Sequence, residues 1–204
     1  MRALILFLLA ACAGAPAPVA FDGPSPERIA VLPLVAAAIE PDACRARDVV
    51  ASERLEALGH RVVPAAVVAS ARASLPAARE SAYPALGRTF DADAVLERSA
   101  DVASSIDQGA PLVLVVRWRI LRAASLAPLW DQSTTVRAGE IVAEHLTGPD
   151  PGDGREPYFT DAPIHGRGLG EHRSAERANT PLELIDLAER RLAARLPPSI
   201  GSMR

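Results

Sequence analysis

Arg28-Ile-Ala-Val-Leu-Pro-Leu34 is the stretch whose reading decides the fold. After Arg28 it is apolar without a break, as a strand buried on both faces must be. Pro33 has no N–H to give to a ladder, so it marks the end of that strand. Asp42 is a candidate N-cap for a helix running to Leu58, which places Ala46, Val50, Ala51, Leu55 and Leu58 inward and Arg and Glu outward. Gly59 suits the C′ position that ends a helix. His60-Arg-Val-Val-Pro64 is then a second short strand. Strand, helix and strand with short joints make a βαβ unit, hence a parallel pair with a right-handed crossover.

Beyond this unit, Val67 to Phe90 reads as short helical pieces broken by Pro76 and Pro84. Asp91 or Asp93 is expected to cap a further helix reaching Gln108, with Val95, Leu96, Val102, Ala103 and Ile106 on one side and Gly109 ending it. Ala110-Pro-Leu-Val-Leu-Val-Val-Arg-Trp-Arg-Ile-Leu121 is the strongest strand signal. Its apolar first half places it centrally. In its second half Arg117, Arg119 and Arg122 alternate with Trp118 and Ile120, so one face there meets water. Ser133–Val136 and Glu140–Leu146, joined through Ala138-Gly139, read as a hairpin, with a helix over the second piece as the alternative. Residues 148–179 are rich in Gly, Pro, Asp and Arg and lack any period, which makes them a long loop of the kind that is usually functional or mobile. Thr180-Pro-Leu-Glu183 starts a helix, with Pro181 at N1 and Glu183 able to complete a capping box. That helix buries Leu184, Ile185, Ala188, Leu192 and Leu196 and stops at Pro197-Pro198. The expected fold class is α/β: a mixed, mostly parallel twisted sheet with helices on its faces, a βαβ start and a C-terminal helix. One domain spans residues 27–197, and 198–204 form a tail.

In the N-terminal direction, Leu9-Ala-Ala-Cys12 closes a short apolar run that begins at Ala3, behind Met1-Arg2. The run is far shorter than the roughly 20 residues needed to span a bilayer, so residues 1–11 read as an export signal. Leu-Ala-Ala-Cys matches a bacterial lipobox, after which Cys12 is acylated and becomes the new N-terminus; an ordinary cleaved signal is the alternative. Two or more acyl chains anchor stably where one binds marginally. Ala13, in place of Asp, fits the sorting pattern of the outer membrane. Residues 12–26 carry Pro16, Pro18, Pro24 and Pro26 and read as an extended tether with a reach of about 40 Å.

Composition narrows the function classes. Apolar residues make up 49 % of the 204, enough for a core, and aromatics only 4 %, so aliphatic side chains fill it. All 22 basic residues are Arg and the formal net charge is −3, which gives neither a nucleic-acid footprint nor a polybasic membrane patch. The two cysteines are Cys12 and Cys44. With Cys12 lipidated, Cys44 is a free, buried or half-buried thiol; a Cys12–Cys44 bridge is conceivable only without the lipid.

The lipobox, Arg-Ile-Ala-Val-Leu-Pro, a helix, Leu-Gly-His-Arg-Val-Val-Pro, Gly-Ala-Pro-Leu-Val-Leu-Val-Val, a hairpin and a last helix ending Arg-Leu-Pro together resemble a known pattern. It is similar to the small Gram-negative envelope lipoproteins whose domain is related to the curli-secretion-channel lipoprotein. The resemblance spans roughly residues 27–147 and 180–197. It implies a twisted α/β sheet, other envelope proteins as partners and no catalytic residues. Phe90-Asp-Ala-Asp-Ala-Val-Leu96 also resembles the family's Gly-Ala-Asp-Ala-Val strand, but the later match at Ala110–Leu121 is preferred. The long loop after Gly148 and the lack of evident membrane-spanning hairpins depart from the family's channel members.

Candidate chemistry is concentrated in the loop. Asp161, His165, Glu171 and His172 are residue types that ligate metals or move protons. No tight zinc spacing accompanies them, and a solvated polar loop is the plainer reading. His165-Gly-Arg-Gly-Leu-Gly170 neither follows a strand nor opens a helix, so it fails as a dinucleotide loop. Asp150-Pro-Gly-Asp153-Gly lacks the ligand pattern of a calcium hand. No serine sits in a Gly-x-Ser-x-Gly elbow, and His60 and His145 have no visible partners. Arg117, Trp118 and Arg119 form either a stacked recognition patch or, as preferred, a sheet face covered by a helix. The expectation is a non-enzymatic, lipid-anchored assembly or docking module on the periplasmic face of the outer membrane. It uses no cofactor and no nucleic acid, its partners are the membrane and other envelope proteins, and its oligomeric state is open. The alternatives are a small-ligand or metal-binding enzyme using the 148–179 loop, and a subunit of an oligomeric secretion complex.

Overall fold

The structure, a computed structural model, describes residues 17–37, 39–72, 74–103, 111–138 and 180–199. In chain order the elements are β1 (Arg28–Val31), α1 (Pro41–Ala57), β2 (Arg61–Val63), α2 (Ala65–Arg72), α3 (Arg79–Phe90), β3 (Ala94–Val102), β4 (Val113–Arg122), β5 (Pro128–Arg137) and α4 (Pro181–Ala193). The five strands form one open sheet in the order β2-β1-β3-β4-β5. The pairs β1–β2 and β1–β3 are parallel; β3–β4 and β4–β5 are antiparallel. The α/β class, the βαβ start and the C-terminal helix are all present.

The expected helix from Asp91 or Asp93 to Gln108 is not formed. Ala94–Val102 is β3, the central strand, and residues 104–110 lie outside the described residues. Its Ala94, Leu96, Arg98 and Ala100 point to one face and Val95, Glu97 and Ser99 to the other, a period of two. Asp93 caps a strand instead of a helix: its carboxylate accepts the N–H groups of Glu27 and Arg28, both at 2.9 Å, and pins the start of β1. Both stretches weighed in the sequence contain strand: Phe90–Leu96 leads into β3 and Ala110–Leu121 covers most of β4. β4 is interior, next to β3, rather than central. The hairpin also differs from expectation. It joins β4 to β5, and Ser133–Val136 are the second half of β5, paired with Leu114–Arg117. Glu140–Leu146 lie outside the described residues.

Two smaller corrections concern the helices. Glu40, not Asp42, is the N-cap of α1, with Pro41 at N1 and no side-chain cap bond. Pro84 does not break the chain but sits inside α3. The C-terminal helix starts as expected and ends at Ala193, short of Leu196: Thr180 and Glu183 form a reciprocal capping box, and Leu184, Ile185, Ala188, Leu192 and Leu196 are buried. Burial of each such Leu or Ile stabilises the fold by about 2 kcal/mol.

α1 and α4 cover one face of the sheet over a core that includes Ile29, Leu55, Leu96, Trp118, Ile120 and Ile185. The opposite face is covered by α2 and α3 only over β1 and β3, where Ala30, Val68, Leu86 and Val95 meet. The rest of that face, carrying Arg117, Arg119, Asp131, Ser133 and Thr135, is bare among the described residues.

The chain enters at one end of the sheet. Val19 N–H donates to the Arg195 carbonyl at 2.7 Å, Asp22 N–H to that of Leu129 at 2.7 Å, and Trp130 Nε1 to that of Val19 at 3.2 Å. Phe21 stacks edge-on against His60, whose ring lies between the carbonyls of Pro26 and Pro197. The segment expected to be tether up to Pro26 is thus docked on the domain from Val19. His60 directly precedes β2 and Pro26 lies two residues before β1, so this is the end at which the parallel strands begin. The carboxyl ends of the parallel strands form the opposite rim.

Candidate functional site

At that opposite rim the backbone of β1 leaves through Pro33 and that of β2 through Pro64. In open α/β sheets this is where ligands collect, because diverging connections leave a crevice at the carboxyl ends of the strands. Here α1 and α2 diverge over a groove of about 670 Å³. Leu34, Ala65, Ala66 and Ala69 line it with small apolar groups, and Cys44 and Val49 line it from α1. Val49 is 58 % exposed and Val35, on the same rim, 70 %. Glu53 and Glu56 stand at the groove and make no ion pair among the described residues.

Cys44 is half-buried in this groove, as expected of a free thiol. Burial pushes its pKa up and the Asp48 charge adds to this, against a smaller pull from Arg98. The thiol therefore stays protonated at neutral pH, which disfavours nucleophilic chemistry.

Beneath the groove lies a buried ionic cluster that the sequence did not suggest. Arg98 on β3 and Glu189 on α4 have fully buried side chains and pair at 2.9 Å. Arg98 also pairs with Asp48 of α1, whose Oδ1 accepts Leu34 N–H at 2.9 Å. Glu189 accepts further bonds from Arg47 at 2.7 Å and Arg54 at 3.3 Å, and Asp186 joins both arginines at 2.6 and 2.7 Å. Burial raises the Asp186 pKa, but the Arg54 hydrogen bond and the Arg47 and Arg54 charges outweigh it and hold the carboxyl below its usual range. Arg47, Arg54 and Arg98 balance Asp48, Asp186 and Glu189 in the inner part of the cluster, and the half-exposed Arg190 adds a fourth guanidinium, 3.4 Å from Asp186. The cluster fixes α1 and α4 to the central strand and sets the wall of the groove; it is a scaffold, with no free acid or base.

On the other side of the Pro33–Val35 segment lies a second, smaller hollow of about 310 Å³. There Arg117 grips Asp131 with two bonds of 2.8 and 2.5 Å, and Arg119 reaches Asp131 at 3.2 Å and Glu97 at 3.5 Å. Glu97 also takes Arg79 at 2.6 Å and the Tyr83 hydroxyl at 2.5 Å. Burial and the Glu97 hydrogen bond push the Tyr83 pKa up to about 12. The preferred reading of Arg117, Trp118 and Arg119 holds for Trp118 alone, which faces the helix-covered core; the two arginines face the bare side.

The candidate site residues singled out from the sequence, Cys12, Asp161, His165, Glu171 and His172, fall outside the described residues, as does His145. His60 is a core histidine held by two carbonyls. Among the described residues no group of three or more His, Cys, Asp or Glu could hold a metal ion, and no helix is long and apolar enough to cross a membrane.

No protein-family model and no curated protein matches the chain. Solved structures similar to it include lipoprotein GNA1162 from Neisseria meningitidis, 19 % identical over 59 % of this chain and 94 % of that one, with a TM-score of 0.44. The LpoB C-terminal domain from Salmonella enterica is 11 % identical over 57 % of this chain and 87 % of that one, with a TM-score of 0.37. The PelC dodecamer from Paraburkholderia phytofirmans is 19 % identical over 54 % of this chain and 71 % of that one, with a TM-score of 0.35. At these identities and scores the likeness carries no argument about function.

Proposed function

We propose that the protein is a lipid-anchored envelope protein, acylated at Cys12, whose domain docks another envelope protein in the groove between α1 and α2. The observation that carries this reading is the apolar groove of about 670 Å³ at the carboxyl ends of β1 and β2, with Val49 58 % exposed beside it. Exposed aliphatic side chains around a concave apolar surface are a common mark of an interaction site. Glu53 and Glu56 favour a partner segment with apolar residues next to Arg or Lys. The outer membrane, facing the periplasm, is the address that Ala13 supports.

Two experiments test this. Cells fed radiolabelled palmitate incorporate it into the wild type and not into Cys12→Ala, which leaves the membrane fraction; equal membrane retention of both refutes the anchor. A photo-crosslinker at Val49 traps a discrete envelope protein, and Ala66→Arg, which fills the groove, removes that adduct. A crosslinker at Arg137, on the bare face, does not give it. Identical adducts from both positions would refute the groove as the docking site.

A further inference from the structure

We propose that the hollow on the bare sheet face, bounded by Arg72, Ser99, Arg117 and Arg119, binds a phosphate monoester group. This does not rest on the docking reading, since it concerns a separate hollow on the other side of the Pro33–Val35 segment. The charge around the hollow is out of balance. Among the described residues Arg72, Arg117 and Arg119 line it against Glu97, a surplus of two positive charges; Arg79 and Asp131, each paired to one of these residues, cancel each other. Asp101 shares a neighbouring hollow with Arg117 and Asp131, and Arg137 stands one step farther along the same face; the two cancel each other in charge. Arg98 also lines the hollow, but its guanidinium is answered on the other face by Asp48 and Glu189.

Donors are left over as well as charge. Arg72 has no ion-pair or hydrogen-bond partner among the described residues, nor does the Ser99 hydroxyl. Arg117 spends Nε and Nη2 on Asp131, and Arg119 spends Nε and Nη1 on Asp131 and Glu97, so each keeps one Nη free. Guanidinium forks match phosphate oxygens in geometry, and a surplus of two charges matches a dianion better than a monocarboxylate. Tyr83, its hydroxyl committed to Glu97, stays protonated and adds no competing negative charge. The apolar side of the hollow is Leu32, Pro33 and Val35, which gives the organic part of an ester a surface to rest on. At about 310 Å³ the space suits a small ester.

Phenyl phosphate is the probe. Calorimetric titration of the full-length protein in detergent at low ionic strength gives saturable binding that weakens as salt rises. Arg72→Gln, an exposed change that breaks no contact, weakens it about tenfold, the loss of one charge-assisted bond. Val35→Glu, which places a carboxylate at the rim without touching an arginine, abolishes it. Benzoate binds at least about tenfold more weakly, having one charge fewer. Co-sedimentation of the Cys12→Ala protein with phosphatidylcholine vesicles, with and without phosphatidic acid, separates the sources: Arg72-dependent recruitment by phosphatidic acid adds a lipid headgroup to the free esters the site accepts. The proposal is overturned by an absence of saturable phenyl phosphate binding, by equal affinity for benzoate, or by an affinity unchanged in both variants.

Discussion

Glu189→Gln is the most informative single change in this protein. Glu189 is fully buried and accepts bonds from Arg98 at 2.9 Å, from Arg47 at 2.7 and 3.1 Å and from Arg54 at 3.3 Å. The amide keeps the shape, but it turns an N–H donor toward guanidinium donors and leaves the cluster with one uncompensated positive charge, centred on buried Arg98. Breaking a buried ion pair from one side costs about 3–5 kcal/mol. Asp186→Asn removes the same charge from the same cluster, but that side chain is 32 % exposed, so water takes over much of the loss. An exposed pair of this kind is worth about 1 kcal/mol or less. Urea unfolding followed by circular dichroism should therefore separate the two variants by about 2–4 kcal/mol, and thermal melting by roughly 10 °C. A double change, Arg98→Met with Glu189→Leu, removes the uncompensated guanidinium, leaves Arg47 and Arg54 on Asp186 and Asp48 on the Leu34 N–H, and is expected to be more stable than Glu189→Gln alone. Equal losses for Glu189→Gln and Asp186→Asn, or a double variant worse than the single one, would refute the account of this cluster.

Acid sensitivity follows from Asp186 and from Asp131, which the Arg117 hydrogen bond holds below the usual carboxylate range. A carboxyl with a depressed folded pKa contributes stability above its unfolded pKa of about 3.9 and loses it as pH falls toward the folded value. Stability measured from pH 6 downward should fall below about pH 4, and less steeply in a Asp131→Asn, Asp186→Asn protein. Cys44, with its pKa raised by burial, should react slowly with thiol reagents at neutral pH; a rate matching that of a free thiol in a peptide would count against the closed groove wall. Gly87→Ala forces a Cβ to 3.0 Å from both the Ala123 Cβ and the Ala92 carbonyl, and a loss of about 1–3 kcal/mol in the same urea assay is expected.

The parts of the fold that announced themselves in the sequence are those where local pattern and burial agree. The run 28–34 opens as a strand, Arg28–Val31, with both faces covered, and the Thr180–Glu183 box opens the helix it promised. β3 was misread because Glu97, Arg98 and Asp101 look like the wet side of a helix. Arg98 is instead fully buried on the central strand, and nothing local in the sequence shows that Asp48 and Glu189, far away in the chain, will neutralise it. The groove was equally hidden, because Ala65, Ala66 and Ala69 look like filler until α1 stands opposite them. The hollow was half visible: Arg117 and Arg119 were placed on a wet face, while Arg72 and Tyr83 come from helices whose position the pattern does not encode.

The docked N-terminal segment has a mechanical consequence. If Cys12 carries the lipid as proposed, residues 13–18 lie between it and Val19, a contour length of about 20 Å. A pull on the anchor first loads the bonds of Val19 to Arg195 and Trp130, then that of Asp22 to Leu129. These break one after another, so the segment peels at low force and yields roughly 25 Å more chain before the load reaches β1. There Asp93 holds the N–H groups of Glu27 and Arg28 together, and further extension requires tearing β1 out between β2 and β3. On the proposed anchoring at Cys12, the segment would act as a leash of two lengths with a hard stop, giving way without unfolding the sheet.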